Sequence, residues 1–152
     1  MKDLLNILKY SLFLSLIVTM ASCGGDDNGG GDDTDPLIDI AANLTAGEAT
    51  FSSVSKPDGA SDFTWDGMIL EFTGGVDGGT YTVTGSPNED VWPAAGDWEF
   101  KDGTDGKFIV RDGTTDVAIS VGSTELVTTF TVDDGSGRVK VVNGEWEFSF
   151  AF

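Results

Sequence analysis

From residue 48 to the C-terminus, short runs rich in Val, Ile, Thr, Phe, Tyr and Trp alternate with clusters of Gly, Asp, Asn and Pro. β-branched and aromatic residues suit a pleated, half-buried strand. Glycine takes positive φ without steric cost, and Asp or Asn closes a turn through its own side chain. Turn signals stand at Pro57-Asp58-Gly59, Asp66-Gly67, Gly74-Gly75 with Asp77-Gly78-Gly79, Asp102-Gly103, Asp112-Gly113, Asp133-Asp134-Gly135 and Asn143-Gly144. Between them the pattern predicts strands over 48–55, 67–73, 80–84, 96–101, 107–111, 116–121, 124–132 and 138–151, the last open to a break or bulge at Asn143-Gly144. Residues 37–44 (LIDIAANL) fit one helical turn or an extended lead-in, and no long amphipathic helix is predicted. Evenly spaced short strands with tight turns imply an all-β fold, an antiparallel meander of about eight strands closing as a barrel or, alternatively, folding as a β-sandwich.

Alternation assigns the faces, because side chains two apart in a strand share one side of the sheet. In the last strand Trp146, Phe148, Phe150 and Phe152 share a face opposite Glu145, Glu147, Ser149 and Ala151. Trp98 and Phe100 oppose Asp97, Glu99 and Lys101; Leu126, Thr128, Phe130 and Val132 form another inward set, and Phe108 with Val110 reads the same way. The aromatic sides should form the core, each buried side chain contributing roughly 1.5–3 kcal/mol. The closing WEFSFAF also has the alternating aromatics and terminal Phe of outer-membrane barrels. Membrane strands need about 9–11 residues and an outward apolar band. Most runs here are shorter, with Asp, Glu, Thr and Ser on the second face, so a soluble barrel is expected.

The N-terminus has a different pattern. Lys2 and Lys9 give a basic start, Ser11–Met20 is an apolar run, and the small residues Ala21 and Ser22 precede Cys23. The run is about half the roughly twenty residues a spanning helix needs and suits the h-region of a secretory signal. Met20-Ala21-Ser22-Cys23 resembles the lipobox of bacterial lipoproteins, with Met20 in place of the usual leucine. The resemblance implies cleavage before Cys23, lipidation of its thiol and acylation of the new amino terminus. Two or three acyl chains hold a protein durably on a membrane, each buried methylene contributing roughly 0.8 kcal/mol.

Residues 24–36 contain five glycines, five aspartates, Asn28, Thr34 and Pro36. Such a segment cannot bury enough apolar surface to offset its ordering entropy. It is expected to be a flexible acidic tether, at most about 45 Å long when extended and nearer 20 Å as a coil. Asp26-Asp27 resembles the acidic export signal of surface lipoproteins in Bacteroidota, which implies the outer face of the outer membrane; a solvated spacer facing the periplasm is the alternative. An EF-hand loop counted from Asp26 has Gly31 at position six but Leu37 at twelve, where a Glu is required. The expected organisation is a lipoprotein signal over 1–22, lipidated Cys23 and tether over 23–36, and one all-β domain over 37–152.

Charge narrows the partners. The chain has 26 acidic residues, 8 basic ones and no histidine, and residues 37–152 carry 20 acids and 6 bases, a formal charge of −14. Nucleic-acid binding needs a basic face. Docking of the domain itself on anionic lipid is likewise disfavoured. With no histidine and the single cysteine assigned to lipid, Cys–His and Ser–His–Asp catalysis and the usual zinc sets are absent. No Walker or Rossmann glycine loop occurs, and no cofactor is implied.

The stretch VWPAAGDWEF (91–100), after GTYTVTG, together with FIVRDG (108–113) and the terminal NGEWEFSF, resembles small lipocalin-like or sandwich surface lipoproteins of Bacteroidota. The resemblance implies an eight-strand β fold, with a lipocalin-like barrel as the preferred architecture, and transfers no functional residues. Paired carboxylates for glycoside hydrolysis would have to come from Glu71, Glu99, Glu145 and Glu147, which fall on the faces opposite the aromatics. Asp102, Asp105, Asp133 and Asp134 are the candidates for a calcium cluster, although turn chemistry accounts for them. The candidate ligand-binding residues are Trp65, Tyr81 and Trp92: a loop aromatic at a barrel end can stack on a sugar or apolar ligand, or plug the core. The expected function is a membrane-anchored, non-catalytic envelope lipoprotein binding a small apolar or glycan ligand, or else an accessory lipoprotein contacting another envelope protein. The sequence leaves the oligomeric state open.

Overall fold

In the computed structural model, which describes residues 35–133 and 142–152, eight antiparallel strands close into a barrel in the order β1-β2-β3-β4-β5-β6-β7-β8. The signal segment, Cys23 and the tether up to Thr34 lie outside the described residues, as do Asp134 and residues 138–141 of the expected last strand. The described residues belong to one compact unit. The strands are β1 (Glu48–Ser55), β2 (Ile69–Gly75), β3 (Gly78–Thr84), β4 (Ala95–Phe100), β5 (Phe108–Arg111), β6 (Thr115–Val121), β7 (Glu125–Val132) and β8 (Gly144–Ala151). Each pairs with its sequence neighbour, and β1 pairs with β8 to close the ring, from Thr50↔Ala151 to Ser55↔Glu147. The structure is therefore the barrel and not the sandwich.

A helix, α1 (Pro36–Leu44), precedes β1. Asp35 caps it by accepting a hydrogen bond from the Leu37 amide at 3.0 Å, and Pro36 occupies the first turn, where its missing N–H costs nothing. Ala41 and Leu44 are buried. Ile40 and Leu37 lie against Gly106 in the β4–β5 loop, so α1 sits on the barrel end that also holds the β2–β3 and β6–β7 turns. The opposite end, or mouth, carries the β1–β2, β3–β4, β5–β6 and β7–β8 connections.

The expected faces hold for most strands. Trp98, Leu126, Thr128, Phe130, Trp146, Phe148 and Phe150 are all buried, while Glu145 and Glu147 are exposed. Ring contacts cross the interior without a break, from Trp65 through Phe148, Trp92, Tyr81 and Phe72 to Trp98, with centroids 4.8–6.1 Å apart. Most of these pairs are edge-to-face, the arrangement the ring quadrupole favours.

One face assignment is corrected. In β5, Phe108 and Val110 point outward, with Phe108 37% exposed, while Ile109 and Arg111 point inward. The cause lies in the turns. β5 has only four residues between two Asp-Gly turns, with φ of +51° and +73° at Asp105 and Gly106 and +53° and +66° at Asp112 and Gly113. Consecutive left-handed residues tighten the connection on each side of β5, and this turn geometry sets the register of a strand this short regardless of which residue is more apolar. The resulting ladder sets Trp98 opposite Arg111 and Phe100 opposite Ile109, with Phe108 beside Ala118 on the outer wall.

Candidate functional site

Trp65, Tyr81 and Trp92 are brought together at the mouth half of the interior, each at most 3% exposed. The Trp65 ring meets Phe148 at 4.8 Å, and Trp92 meets Phe130 at 5.1 Å and Tyr81 at 6.0 Å. As described they fill the barrel from within and offer no open ring face to a ligand. The barrel interior around them is occupied by side chains.

The Tyr81 hydroxyl donates to Asp112 Oδ2 at 2.7 Å, and the other oxygen of Asp112 accepts from the Asp97 amide at 3.1 Å. Burial, reinforced by this bond to a carboxylate, holds the Tyr81 phenol well above the ordinary tyrosine range. Gly96 allows the approach: a Cβ there would stand 1.9 Å from Asp112 Oδ1 and 2.7 Å from the Tyr81 oxygen. The β5–β6 turn is thus tied to β3 and β4 by side chains as well as by the ladder.

One inward-facing charged side chain is not apparent from the alternation pattern: Arg111. Its side chain enters the interior from the last position of β5, only 5% exposed. The guanidinium carbon stands 4.8 Å from the Trp92 ring centre and 4.6 Å from that of Phe130, so two ring faces hold it. Desolvated cation–π contacts are worth about 2 kcal/mol. Nη1 donates to the Val91 carbonyl at 3.3 Å; Nε is 3.8 Å from Asp112 Oδ2 and has no hydrogen-bond partner among the described residues. Burial pulls the guanidinium pKa down, with Asp112 and Tyr81 opposing that shift. The signal in the sequence was the turn: Arg111 immediately precedes Asp112-Gly113, and counting from that turn puts it on the Ile109 face.

Arg111 also lines a groove of about 530 Å³ at the mouth, with Asp90, Thr114, Thr115, Asp116, Thr131, Val132 and Asp133. The groove is open to solvent, and it combines one guanidinium with threonine hydroxyls and carboxylates. Such a surface donates and accepts hydrogen bonds.

The remaining candidates are dispersed. Glu71, Glu99, Glu145 and Glu147 are exposed on outer strand faces. Asp102 and Asp105 belong to the β4–β5 loop at the helix end, whereas Asp133 follows β7 at the mouth, so these do not converge. Among the described residues no three His, Cys, Asp or Glu side chains group to hold a metal ion. No protein-family profile, curated protein or solved structure matches the chain.

Proposed function

We propose that this chain is a non-catalytic lipoprotein, anchored in the outer membrane through lipid on Cys23, exposed at the cell surface, and binding a small glycan-like ligand at the barrel mouth. The observation that carries the reading is polarity along the barrel. The chain enters at the helix-capped end, through Asp35 and Pro36, and a groove that reaches the buried Arg111 side chain opens at the other end. A tether of the expected length then leaves the groove free of the membrane. The filled interior favours a polar ligand at the mouth over an apolar one in a central chamber.

The accessory reading has its own support. Ile38, Val76 and Phe108 are exposed large apolar residues, and all three belong to the helix-capped end, on α1, the β2–β3 turn and the first position of β5. Cys23→Ala tests the anchor: the variant should move from the membrane fraction to the soluble one, and retention in the membrane would refute lipid attachment. Tryptophan fluorescence during a glycan and lipid screen separates the two functions. A saturable change supports ligand binding. A flat response, with a co-purifying envelope protein lost on Phe108→Asp, supports the accessory role.

A further inference from the structure

We infer that the mouth groove is a site for a neutral, polyhydroxylated ligand of sugar type, with Arg111 as the hydrogen-bond donor on its floor. This rests on the binding reading above and names its site and ligand class.

A guanidinium carries five N–H donors and does not shed its charge in a protein. Burying it without acceptors is costly, and apolar side chains of similar volume are often as stable at such a position. Here the described acceptors are few: one carbonyl at the long distance of 3.3 Å from Nη1 and one carboxylate oxygen at 3.8 Å from Nε, which is itself fully buried, so the terminal nitrogens are the donors left to face the groove. The position is nevertheless rigid. The ladder holds Arg111 between Trp98 on β4 and Thr115 on β6, and the two ring faces fix the plane of the group. A donor that is preorganised, poorly satisfied and on the wall of an open groove is arranged to meet an acceptor arriving from outside.

The walls decide the class. Thr114, Thr115 and Thr131 bring hydroxyls that donate or accept, and Asp90, Asp133 and Asp116, the last already engaged by Lys101, bring carboxylates that accept. A sugar hydroxyl supplies an acceptor to the guanidinium and a donor to the walls in one molecule. An anion would satisfy Arg111 but must approach a domain of formal charge −14. A cation or an apolar molecule leaves the guanidinium unanswered. The groove, at about 530 Å³, falls within the usual range for small-molecule sites, roughly 300–1,000 Å³.

The test uses the full chain carrying Cys23→Ala, titrated with maltose, lactose and N,N′-diacetylchitobiose, and with galacturonate and glycylglycine as charged comparators. Amide NMR shifts and tryptophan emission are the readouts. A neutral disaccharide should shift the amides of Thr114, Thr115 and Thr131 and change the emission saturably, since Arg111 lies on Trp92. Thr131→Trp, at an exposed position on the groove wall, should weaken binding at least about tenfold while leaving the far-UV spectrum unchanged. Arg111→Lys should weaken it similarly, because the planar fork is lost.

No saturation by the three neutral probes up to about 10 mM would overturn the inference. Groove shifts with a charged comparator alone would overturn the ligand class, and binding that survives Thr131→Trp would overturn the site. Membrane attachment of the Cys23 protein is measured separately, so failure here and failure of the anchor are distinguishable.

Discussion

Replacing Phe148 with alanine is the most demanding test of a core built from stacked and edge-on rings. Phe148 is fully buried on β8 and has five rings around it: Trp65 at 4.8 Å, Trp146 at 5.9 Å, Phe130 at 6.0 Å, and Trp92 and Phe150 at 6.1 Å. Removing a buried phenyl forfeits roughly 1.5–3 kcal/mol of transfer free energy. The hole then adds a cavity term, because ladder-bound neighbours relax little, and measured Phe→Ala losses reach about 3–5 kcal/mol. Five ring partners place this site toward the upper part of that range. Against a typical domain stability of about 5–15 kcal/mol the loss is large. With a urea m-value near 2 kcal/mol/M, a loss of about 4 kcal/mol lowers the unfolding midpoint by about 2 M. Far-UV circular dichroism under urea gives both quantities. Phe108→Ala is the control: that ring is 37% exposed on the outer wall, and its loss should cost about 1 kcal/mol. Equal losses at the two positions, or a loss below about 1.5 kcal/mol at Phe148, would refute the inward and outward assignments.

Two further outcomes concern the tie between the β5–β6 turn and its neighbours. Gly96→Ala drives a methyl to 1.9 Å from Asp112 Oδ1 and should lower stability by roughly 1–3 kcal/mol in thermal unfolding, whereas a wild-type melting temperature would mean the turn moves freely. The Tyr81 phenol, with its folded pKa raised by burial and by its bond to Asp112, contributes stability that is complete below the unfolded pKa near 10 and is lost as pH climbs toward the folded value. Alkaline titration of tyrosinate absorbance should therefore show Tyr81 ionising well above pH 10 and together with unfolding, and a reversible step near pH 10 in the folded barrel would contradict the hydrogen bond.

The architecture was legible because two periodicities agreed. Strand-forming runs between Gly, Asp and Asn gave the number of strands, and alternation in WEFSFAF and TELVTTFTV gave the core faces of β8 and β7. The limits of the first seven strands moved by at most two residues, as at β2, where Gly67 and Met68 belong to the loop, whereas the last strand, expected from residue 138, is described from Gly144. The segment at 37–44 became a helix because Asp35 and Pro36, just outside it, supply the cap and the first turn.

The site was much less legible. Trp65 and Trp92 flank turn signals, where a loop aromatic can either meet a ligand or plug the core, and the long connections at the mouth carry both into the barrel as plugs. Arg111 is concealed by the opposite effect. A lone charged residue beside a turn reads as surface, and only the one-residue offset imposed on β5 by its two hairpin turns turns it toward Trp92 and Phe130. Composition carries no trace of that offset.

The seam between β1 and β8 joins the first and last described strands, so closure waits for residues 144–151. Until residues 144–151 arrive, β1 and β7 each present an unpaired edge, and the interior lacks Trp146, Phe148 and Phe150. Pairing the chain's two extremes is a high-contact-order step and therefore slow. A nascent chain of this sequence stays open and protease-accessible until β8 has emerged, and loss of that one strand opens the ring instead of shortening it.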